Sequence, residues 1–223
     1  MIGVVIPAYD SQDSVARAAA GALAHCRAVL VVDDGSRDDT SACAAAAGAQ
    51  VIRHDVNRGK GAALRTGFSR MRQMGAEAVV TMDADLQHDA NDIPRFVEAF
   101  RQRGADLIIG SREAGFGEMT PGRRLGNRFS CGALRFFTGL ELTDSQSGFR
   151  LYSGRFLDGL VLRRDAYDAE MEALLVAARG RRRIETIRIA TGLPDGSSTS
   201  YYRAWLDTYR ICRTVVLFSI CTF

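Results

Sequence analysis

The first half of this sequence alternates between short runs rich in β-branched residues and longer stretches with helical periodicity, and this alternation limits the fold more than any other feature. The apolar runs predict strands near residues 2–6, 28–33, 50–53, 77–82 and 106–110. Helices are predicted between them, near residues 12–24, 39–47, 60–74 and 92–103. Such spacing is typical of βαβ units, and strands that are apolar nearly throughout indicate helices on both faces. The sequence therefore predicts an α/β fold with a mostly parallel central sheet flanked by helices.

The alternation stops near residue 112. The pattern then predicts a Gly-rich loop over residues 113–122 and a basic amphipathic helix over residues 123–138. A second helix is predicted over residues 167–180, an alternating strand over residues 183–190, and a last helix from about residue 201. A short strand is also predicted after the turn in "TDSQSGFRLYS". We predict one domain over residues 1–195, followed by a loop and an amphipathic helix over residues 196–223 that form a C-terminal helical appendage.

Composition and charge exclude several classes of protein. A chain of 223 residues with 47% apolar and 25% charged residues is ordinary for a globular domain, and a net charge of +3 is too small to indicate a nucleic-acid partner. The five cysteines are scattered and form no C-x-x-C pair, which is typical of free thiols in a reducing compartment. The opening "MIGVVIPAYD" lacks the basic region of a signal peptide, so we expect a cytoplasmic protein.

Two segments carry the features of a membrane contact. Phe129, Leu134, Phe136 and Phe137 recur near helical spacing between arginines, which indicates either a core-facing stripe or an interfacial helix. The final "TVVLFSICTF" is apolar but far shorter than the roughly 20 residues that span a bilayer. It is read as a packed helix, a membrane-facing helix, or the start of a segment that the sequence truncates.

Carboxylates follow the fourth predicted strand directly, in "VVTMDADLQHD". Ligands of open parallel sheets bind beyond the carboxyl ends of the strands, which is where Asp83 and Asp85 lie. Two carboxylates at i and i+2, with the amide of Gln87 at i+4, supply the hard oxygen ligands that Mg²⁺ or Mn²⁺ prefers. A D-x-D triplet alone arises by chance, so a solvated turn stays open as the alternative.

Two further segments follow predicted strands. "VVDDGSRDDT" forms an Asx turn and a helix start, and its carboxylates also suit hydrogen bonds from a base or a ribose. "NRGKGAALRTG" opens a helix with Arg58 and Lys60, and a helix N-terminus with two cations favours a diphosphate. Because it matches neither G-x-G-x-x-G nor the P-loop pattern, NAD-binding and P-loop NTPase functions are disfavoured.

Six motifs in order, "VVIPAYD", "VVDDGSRDDT", "NRGKGAAL", "MDADLQHD", "GSR" and "DSQSGFR", resemble glycosyltransferase family 2, and within it the dolichyl/polyprenyl-phosphate mannose synthase-like branch. The resemblance covers residues 2 to about 190 and implies the nucleotide-binding fold called GT-A. It also implies inverting transfer of a sugar from a nucleotide diphosphate, aided by Mg²⁺ or Mn²⁺. The domain then divides into a nucleotide-sugar half over residues 1–112 and an acceptor half over residues 113–195.

The resemblance assigns roles to individual residues. The nucleotide-sugar would contact Pro7, Ala8, Tyr9, Asp34, Arg58, Lys60 and Asp83. Asp33 would either replace Asp34 in this role or support it. The metal would be bound by Asp83, Asp85 and Gln87. The acceptor would contact Arg112, Arg123 or Arg124, Ser147, Arg150 and Glu170. The catalytic residues would be Asp85, Arg112 and Asp144.

The nature of the acceptor decides the chemistry required of these residues. A polyprenyl phosphate, such as a dolichyl or undecaprenyl phosphate, is already an anion and needs cations such as Arg112 and Arg123. A hydroxyl acceptor needs a base, for which Asp144 is the candidate. For Asp144 and Arg150, a structural salt bridge that fixes the loop is the alternative, and for Arg112 an ordinary surface ion pair.

Several functions stay open at the level of sequence. The leading one is a transferase on the cytoplasmic face of a membrane that uses GDP-mannose or a UDP-hexose and a lipid phosphate. The others are a soluble transferase to a saccharide or other hydroxyl, a sugar-1-phosphate nucleotidyltransferase and a non-catalytic nucleotide-sugar binder. The sequence has "PAYDS" where the family usually has "PAYNE", and "GSSTSYYRAW" lacks the usual basic or His residue before Arg203, so contacts with nucleotide and acceptor are expected to differ.

Overall fold

The computed structural model describes residues 1–112, 121–190 and 204–220. Its seven strands are β1 (Ile2–Ala8), β2 (Ala28–Asp33), β3 (Gln50–Arg53), β4 (Ala78–Thr81), β5 (Leu107–Ser111), β6 (Arg150–Ser153) and β7 (Ile184–Arg188). Its helices are α1 (Gln12–Leu23), α2 (Thr40–Ala46), α3 (Lys60–Gln73), α4 (Ile93–Arg103), α5 (Pro121–Thr138), α6 (Gly154–Leu157), α7 (Asp168–Arg179) and α8 (Ala204–Ile220). A 3₁₀ turn over Ala90–Asp92 precedes α4.

The strands form one sheet in the order β3-β2-β1-β4-β6-β5-β7. Only β6 runs antiparallel to its neighbours, β4 and β5, so the predicted mostly parallel α/β sheet is confirmed. The strand predicted after "TDSQSGFR" is present, but its place between β4 and β5 is not evident from the sequence. Its insertion brings the loop before Arg150 to the carboxyl end of β4, beside the "DAD" triplet.

Helices cover both faces of the sheet because neighbouring strand residues point in opposite directions. Val4 and Ile6 of β1 belong to an apolar cluster with α1, α2 and α4. Val5, between them, belongs to a second cluster with α3, α7 and α8. Strands buried on both faces explain why their sequences are apolar without alternation.

The predicted helix boundaries agree with the structure to within a few residues, with two informative differences. The basic helix begins at Pro121 instead of residue 123, since proline is favoured in the first turn of a helix. Residues 113–120, the first eight residues of the predicted Gly-rich loop, lie outside the described residues. Residues 191–203, which contain the second predicted loop, also lie outside them. The short helix α6 was not predicted.

The C-terminal helix packs against the domain. Ile211 and Val215 of α8 are buried in the second apolar cluster, and the Thr214 hydroxyl donates to Asp168 Oδ2 at 3.0 Å. A Cβ atom at Gly126 of α5 would lie 2.5 Å from Thr208 Oγ1, so a larger residue there would have to shift the Thr208 side chain where α5 and α8 approach each other. Contacts with α5 and α7 therefore fix the position of α8.

The sequence predicts free thiols, and the described cysteines agree with this. Cys26, Cys43, Cys131 and Cys212 are free thiols. Across the described ranges, no helix combines the length and apolar character that crossing a bilayer requires.

Candidate active site

A cavity of about 320 Å³ lies at the carboxyl ends of β1, β2 and β4. The strand ends and the start of α3 contribute Pro7, Ala8, Tyr9, Asp34, Lys60, Asp83 and Asp85 to its lining. All of these residues were predicted from sequence to contact the nucleotide-sugar or the metal. Parallel strands end at one edge of a sheet, so motifs that are distant in sequence meet at this cavity.

Asp33, Arg58 and Gln87 are not among the described residues that line the cavity. Asp33 is fully buried, and its Oδ1 accepts the backbone N–H of Ser36 at 2.9 Å, while its role beside Asp34 in the nucleotide site stays a prediction. The Arg58 side chain is exposed. The backbone N–H of Gln87 donates to Asp85 Oδ1 at 3.2 Å, so Gln87 helps to orient Asp85, while ligation by its side chain stays a prediction.

The Asp34 carboxylate holds the turn before α3. Its Oδ1 accepts the backbone N–H of Arg58 at 3.0 Å, and its Oδ2 accepts that of Gly59 at 2.6 Å. His54 Nδ1 lies 2.7 Å from Oδ1, a contact that nothing in the sequence indicated. Gly59 has a φ of +95°, a conformation that glycine adopts without strain. Asp34 thereby positions Lys60, and its predicted contact with a base stays a prediction.

Lys60 lies at the centre of the charged part of the cavity. Its Nζ is 2.5 Å from Asp83 Oδ1 and 3.0 Å from Glu170 Oε1, and it sits 5.3 Å from the centroid of the Tyr167 ring. Burial alone would lower the pKa of Lys60, but the charges of Asp83 and Glu170 outweigh burial and raise that pKa. Burial opposes ionisation of Asp83 as well, yet Lys60 and His88 lower the pKa of Asp83 to about 2. Both groups are therefore ionised near neutral pH.

Two residues beside Asp83 were missed in the sequence analysis. A Cβ atom at Gly148 would lie 2.6 Å from Asp83 Oδ2 and 2.9 Å from Lys60 Nζ, so a larger residue there would displace this ion pair. His88, which was read as a turn residue, is buried, and its Nδ1 accepts the backbone N–H of Asp83 at 3.3 Å. Burial lowers the pKa of His88 to about 4, so the ring is neutral near neutral pH and its Nδ1 is free to accept.

Arg112 and Asp144 form a two-point ion pair at the end of β5. Arg112 Nε donates to Asp144 Oδ2 at 2.7 Å, and Nη2 donates to Oδ1 at 3.1 Å. Burial would lower the pKa of Arg112 and raise that of Asp144. The pairing outweighs burial in both cases, so the pKa of Arg112 is raised and that of Asp144 is lowered. A buried carboxylate held in this way is a weak proton acceptor, which disfavours Asp144 as a general base.

The acceptor contacts predicted for Arg150 and Ser147 require correction, because both side chains are 0% exposed. Arg150 donates to three backbone carbonyls, those of Ser147, Glu170 and Ser145, at 2.7, 2.6 and 2.8 Å. It therefore holds the "DSQSGF" loop and the start of α7 in place. Glu170 ion-pairs with Lys60, and its predicted contact with the acceptor stays a prediction. Arg124 is exposed on α5, and the Arg123 side chain lies outside the described residues.

The charges around the cavity suit a divalent cation that arrives with a phosphorylated ligand. Four acids and two bases line it among the described residues: Asp34, Asp83, Asp85, Asp207, Lys60 and Arg210. No group of three or more His, Cys, Asp or Glu side chains in the described part of the chain forms a closed metal cage. Mg²⁺ usually takes one or two carboxylates, with water and substrate phosphates as its other ligands, and Asp83 and Asp85 match that requirement.

The sequence is similar to a family model and to known proteins. The family model described as glycosyl transferase family 2 matches residues 3–161. The chain is 29% identical to a UDP-N-acetylglucosamine–dolichyl-phosphate N-acetylglucosaminyltransferase of Methanococcus voltae, over 86% of this chain and 85% of that protein. It is 34% identical to an undecaprenyl-phosphate mannosyltransferase of Micrococcus luteus, over 72% of this chain and 70% of that protein.

A third comparison concerns solved structures. The glucosyl-3-phosphoglycerate synthase of Mycobacterium tuberculosis, crystallised with Mg²⁺ and uridine diphosphate, matches with a TM-score of 0.75. The match covers 99% of this chain and 78% of that chain at 22% identity. At this identity the likeness establishes the fold alone, and it confirms the expected GT-A type.

Proposed function

This chain belongs to glycosyl transferase family 2, and from that membership we propose that it transfers a sugar from a nucleotide diphosphate-sugar to a polyprenyl phosphate, with inversion and with Mg²⁺ or Mn²⁺. The convergence of Lys60, Asp83 and Asp85 at one cavity beyond the strand ends carries this proposal. The names of the sequence relatives, which act on dolichyl or undecaprenyl phosphate, support a lipid phosphate as acceptor.

The proposed reaction is a displacement at the anomeric carbon. An oxygen of the acceptor phosphate forms a bond to that carbon, and the bond to the diphosphate oxygen breaks, so the nucleoside diphosphate leaves with the electron pair. The phosphate acceptor is already an anion, so the reaction needs no base to activate it. This agrees with the structure, in which the Asp144 carboxylate is held in an ion pair with Arg112. A bound cation would neutralise charge on the leaving diphosphate. Asp83 and Asp85 would hold that cation, and Lys60 would orient Asp83.

The direct test of this function is a binding and turnover experiment. The purified protein is titrated with GDP-mannose, UDP-glucose and UDP-N-acetylglucosamine, each with and without Mn²⁺. The donor that binds is then assayed with a polyprenyl phosphate and, separately, with saccharide hydroxyl acceptors. Metal-dependent binding of one donor and transfer to the lipid phosphate are expected. Transfer to hydroxyl acceptors alone would instead establish the alternative, a transferase that uses a base.

Arg112 is proposed to contact the acceptor phosphate, because its side chain is 14% exposed and its guanidinium still has N–H groups beyond those given to Asp144. Arg112→Ala should raise the KM for polyprenyl phosphate by about tenfold or more, the usual cost of losing a charged hydrogen bond. The dissociation constant of the donor should change far less. Steady-state kinetics with each substrate varied in turn, together with donor titration, measure the two effects.

The control for Arg112 is Arg103→Ala on α4, which removes an exposed arginine that pairs with Glu185 at 3.1 Å. It should change neither constant. Arg112→Ala also leaves Asp144 without its cation, so Arg112→Lys is measured beside it, with folding followed by circular dichroism. A folded Arg112 variant in which donor and acceptor constants change equally would rule out the assigned role.

An exposed apolar stripe on α5 supports the proposal that the protein contacts a membrane peripherally. Phe129 is 61% exposed and Phe136 is 82% exposed, and they lie seven residues apart on one side of the helix. Exposed Arg128 and Arg135 flank them, as expected for a surface that binds anionic lipid headgroups. Of the two interpretations of this helix, exposure favours the interfacial one for these phenylalanines, whereas Leu134 is buried in the core.

Removing the stripe with Phe129→Ser and Phe136→Ser should reduce flotation with vesicles of anionic phospholipid at least about tenfold, because each buried phenyl ring contributes roughly 2 kcal/mol. The paired control is Val56→Ser and Val161→Ser, which removes two apolar side chains that are 65% and 66% exposed elsewhere. Turnover of a short-chain, water-soluble acceptor should persist in both proteins. Unchanged flotation of the phenylalanine variant would contradict this membrane contact.

A further inference from the structure

The last helix contributes two charged residues to the cavity. Asp207 and Arg210 of α8 line it together with the strand-end residues. Both lie far beyond residue 161, where the family match ends, so that match assigns them no role. From the sequence, this helix was predicted only to be an appendage or a membrane contact. Its position in the structure makes it part of the cavity wall.

The pair is arranged so that the carboxylate is hidden and the guanidinium is accessible. The Asp207 side chain is 4% exposed and that of Arg210 is 45% exposed, with Arg210 Nη1 3.4 Å from Asp207 Oδ1. A guanidinium carries five N–H donors, and one long contact leaves most of them available to a ligand. Buried Ile211 and Val215 and the Thr214–Asp168 hydrogen bond hold this part of α8 in place, so Arg210 is pre-organised.

The charge balance of the cavity indicates what Arg210 binds. Lys60, the other base in the described lining, is already in contact with two carboxylates, Asp83 and Glu170. Among the described residues, Arg210 pairs with one carboxylate, that of Asp207, at 3.4 Å. A phosphate group that enters this acid-rich cavity is therefore attracted to the Arg210 guanidinium, whose planar fork matches phosphate oxygens.

We propose that Arg210, oriented by Asp207, binds a substrate phosphate in this cavity, so that α8 forms part of the substrate site. The inference rests on the proposed function, because it assumes phosphorylated ligands there. The phosphate comes either from the nucleoside diphosphate or from the lipid acceptor. The two sources share one chemistry, and separate measurements distinguish them.

The first measurement is isothermal titration with GDP and UDP in the presence of Mn²⁺, compared with guanosine and uridine. Arg210→Ala should weaken binding of the nucleoside diphosphate by about tenfold or more and leave nucleoside binding unchanged. Arg210→Lys should recover part of the loss, since it restores the charge without the fork. Arg213→Ala, an exposed arginine three residues further along the same helix, is the control and should match the wild type. If the phosphate is that of the acceptor, the tenfold change appears instead in the KM for polyprenyl phosphate.

A double variant separates direct binding from a change in net charge. Asp207→Asn with Arg210→Gln removes one negative and one positive charge, so the net charge of the cavity is preserved. If Arg210 binds phosphate directly, the double variant stays about tenfold weaker than the wild type. Wild-type affinity in the double variant would mean that Arg210 only neutralises Asp207, and the inference would be overturned.

The failure of this inference is distinguishable from failure of the proposed function. A wild-type protein that binds no nucleotide with or without Mn²⁺ contradicts both. A wild-type protein that binds nucleotide and transfers sugar, with Arg210→Ala unchanged in both measurements, contradicts the role of Arg210 alone. Circular dichroism spectra that match the wild type are required of each variant, so that a loss is not assigned to unfolding.

Discussion

Replacement of Asp85 by alanine is expected to abolish sugar transfer while the protein stays folded. The Asp85 side chain is partly exposed and lines the cavity, and its Oδ1 accepts the backbone N–H of Gln87. Loss of a group that holds the cation removes several kcal/mol of stabilisation of the leaving diphosphate, which corresponds to roughly a thousandfold or more in kcat/KM. Metal-dependent turnover of the preferred donor, measured over a range of Mn²⁺ concentrations, checks this expectation.

Asp89 offers a matched control in the same segment. Its Oδ1 accepts the backbone N–H of Asn91 at 2.9 Å, as expected of a residue that caps the following turn. Asp89→Ser removes the charge but keeps an oxygen that caps, so activity and its Mn²⁺ dependence should stay near those of the wild type. Full activity in Asp85→Ala would reject the metal assignment, whatever the result for Asp89.

The fold was predictable where short-range pattern determines it. Strands β2 and β3 begin and end at the predicted residues, because apolar β-branched runs bounded by turns leave few alternatives. The position of β6 was not predictable, since a four-residue strand carries no information about its partners. Its pairing with Val79 and Val80 on one side and Ile108 on the other depends on contacts distant in sequence. The strands and helices could therefore be predicted from the sequence, whereas the order of the strands in the sheet could be read only from the structure.

The site was predictable at the strand ends and not beyond them. Asp83, Asp85 and Lys60 follow from where parallel strands finish, and the structure brings them to one cavity. A motif does not reveal burial, however. The family resemblance of "SGFR" assigned Arg150 to the acceptor, with a structural role in fixing the loop as the alternative. The fold buries Arg150 and satisfies it with backbone carbonyls. His88 shows the opposite error. It was predicted to be a turn residue without function, but it is buried, and its Nδ1 accepts the backbone N–H of Asp83.

Replacement of Lys60 by methionine is expected to reduce both stability and nucleotide binding. Lys60 is 11% exposed and Glu170 is 6% exposed, so the substitution leaves the Asp83 and Glu170 carboxylates close together without their cation. Removal of one partner from a buried ionic cluster typically costs about 3 kcal/mol or more. The midpoint of urea unfolding should fall accordingly, and the affinity for the nucleoside diphosphate in Mn²⁺ should fall with it.

A second variant distinguishes two functions of Lys60, which are to stabilise the fold and to orient Asp83. Lys60→Met combined with Glu170→Gln removes one charge of each sign, which restores much of the lost stability because no uncompensated buried charge is added. If Lys60 also orients Asp83 for the cation and diphosphate, this double variant folds with near wild-type stability yet stays deficient in nucleotide binding. Recovery of both properties would show that Lys60 only compensates Glu170. A Lys60→Met protein as stable as the wild type would show that the cluster is solvated and contributes little. The 2.5 Å contact between Lys60 Nζ and Asp83 Oδ1 argues for the first result, because a lysine that close to the proposed metal carboxylate fixes which of its oxygens remains for the cation.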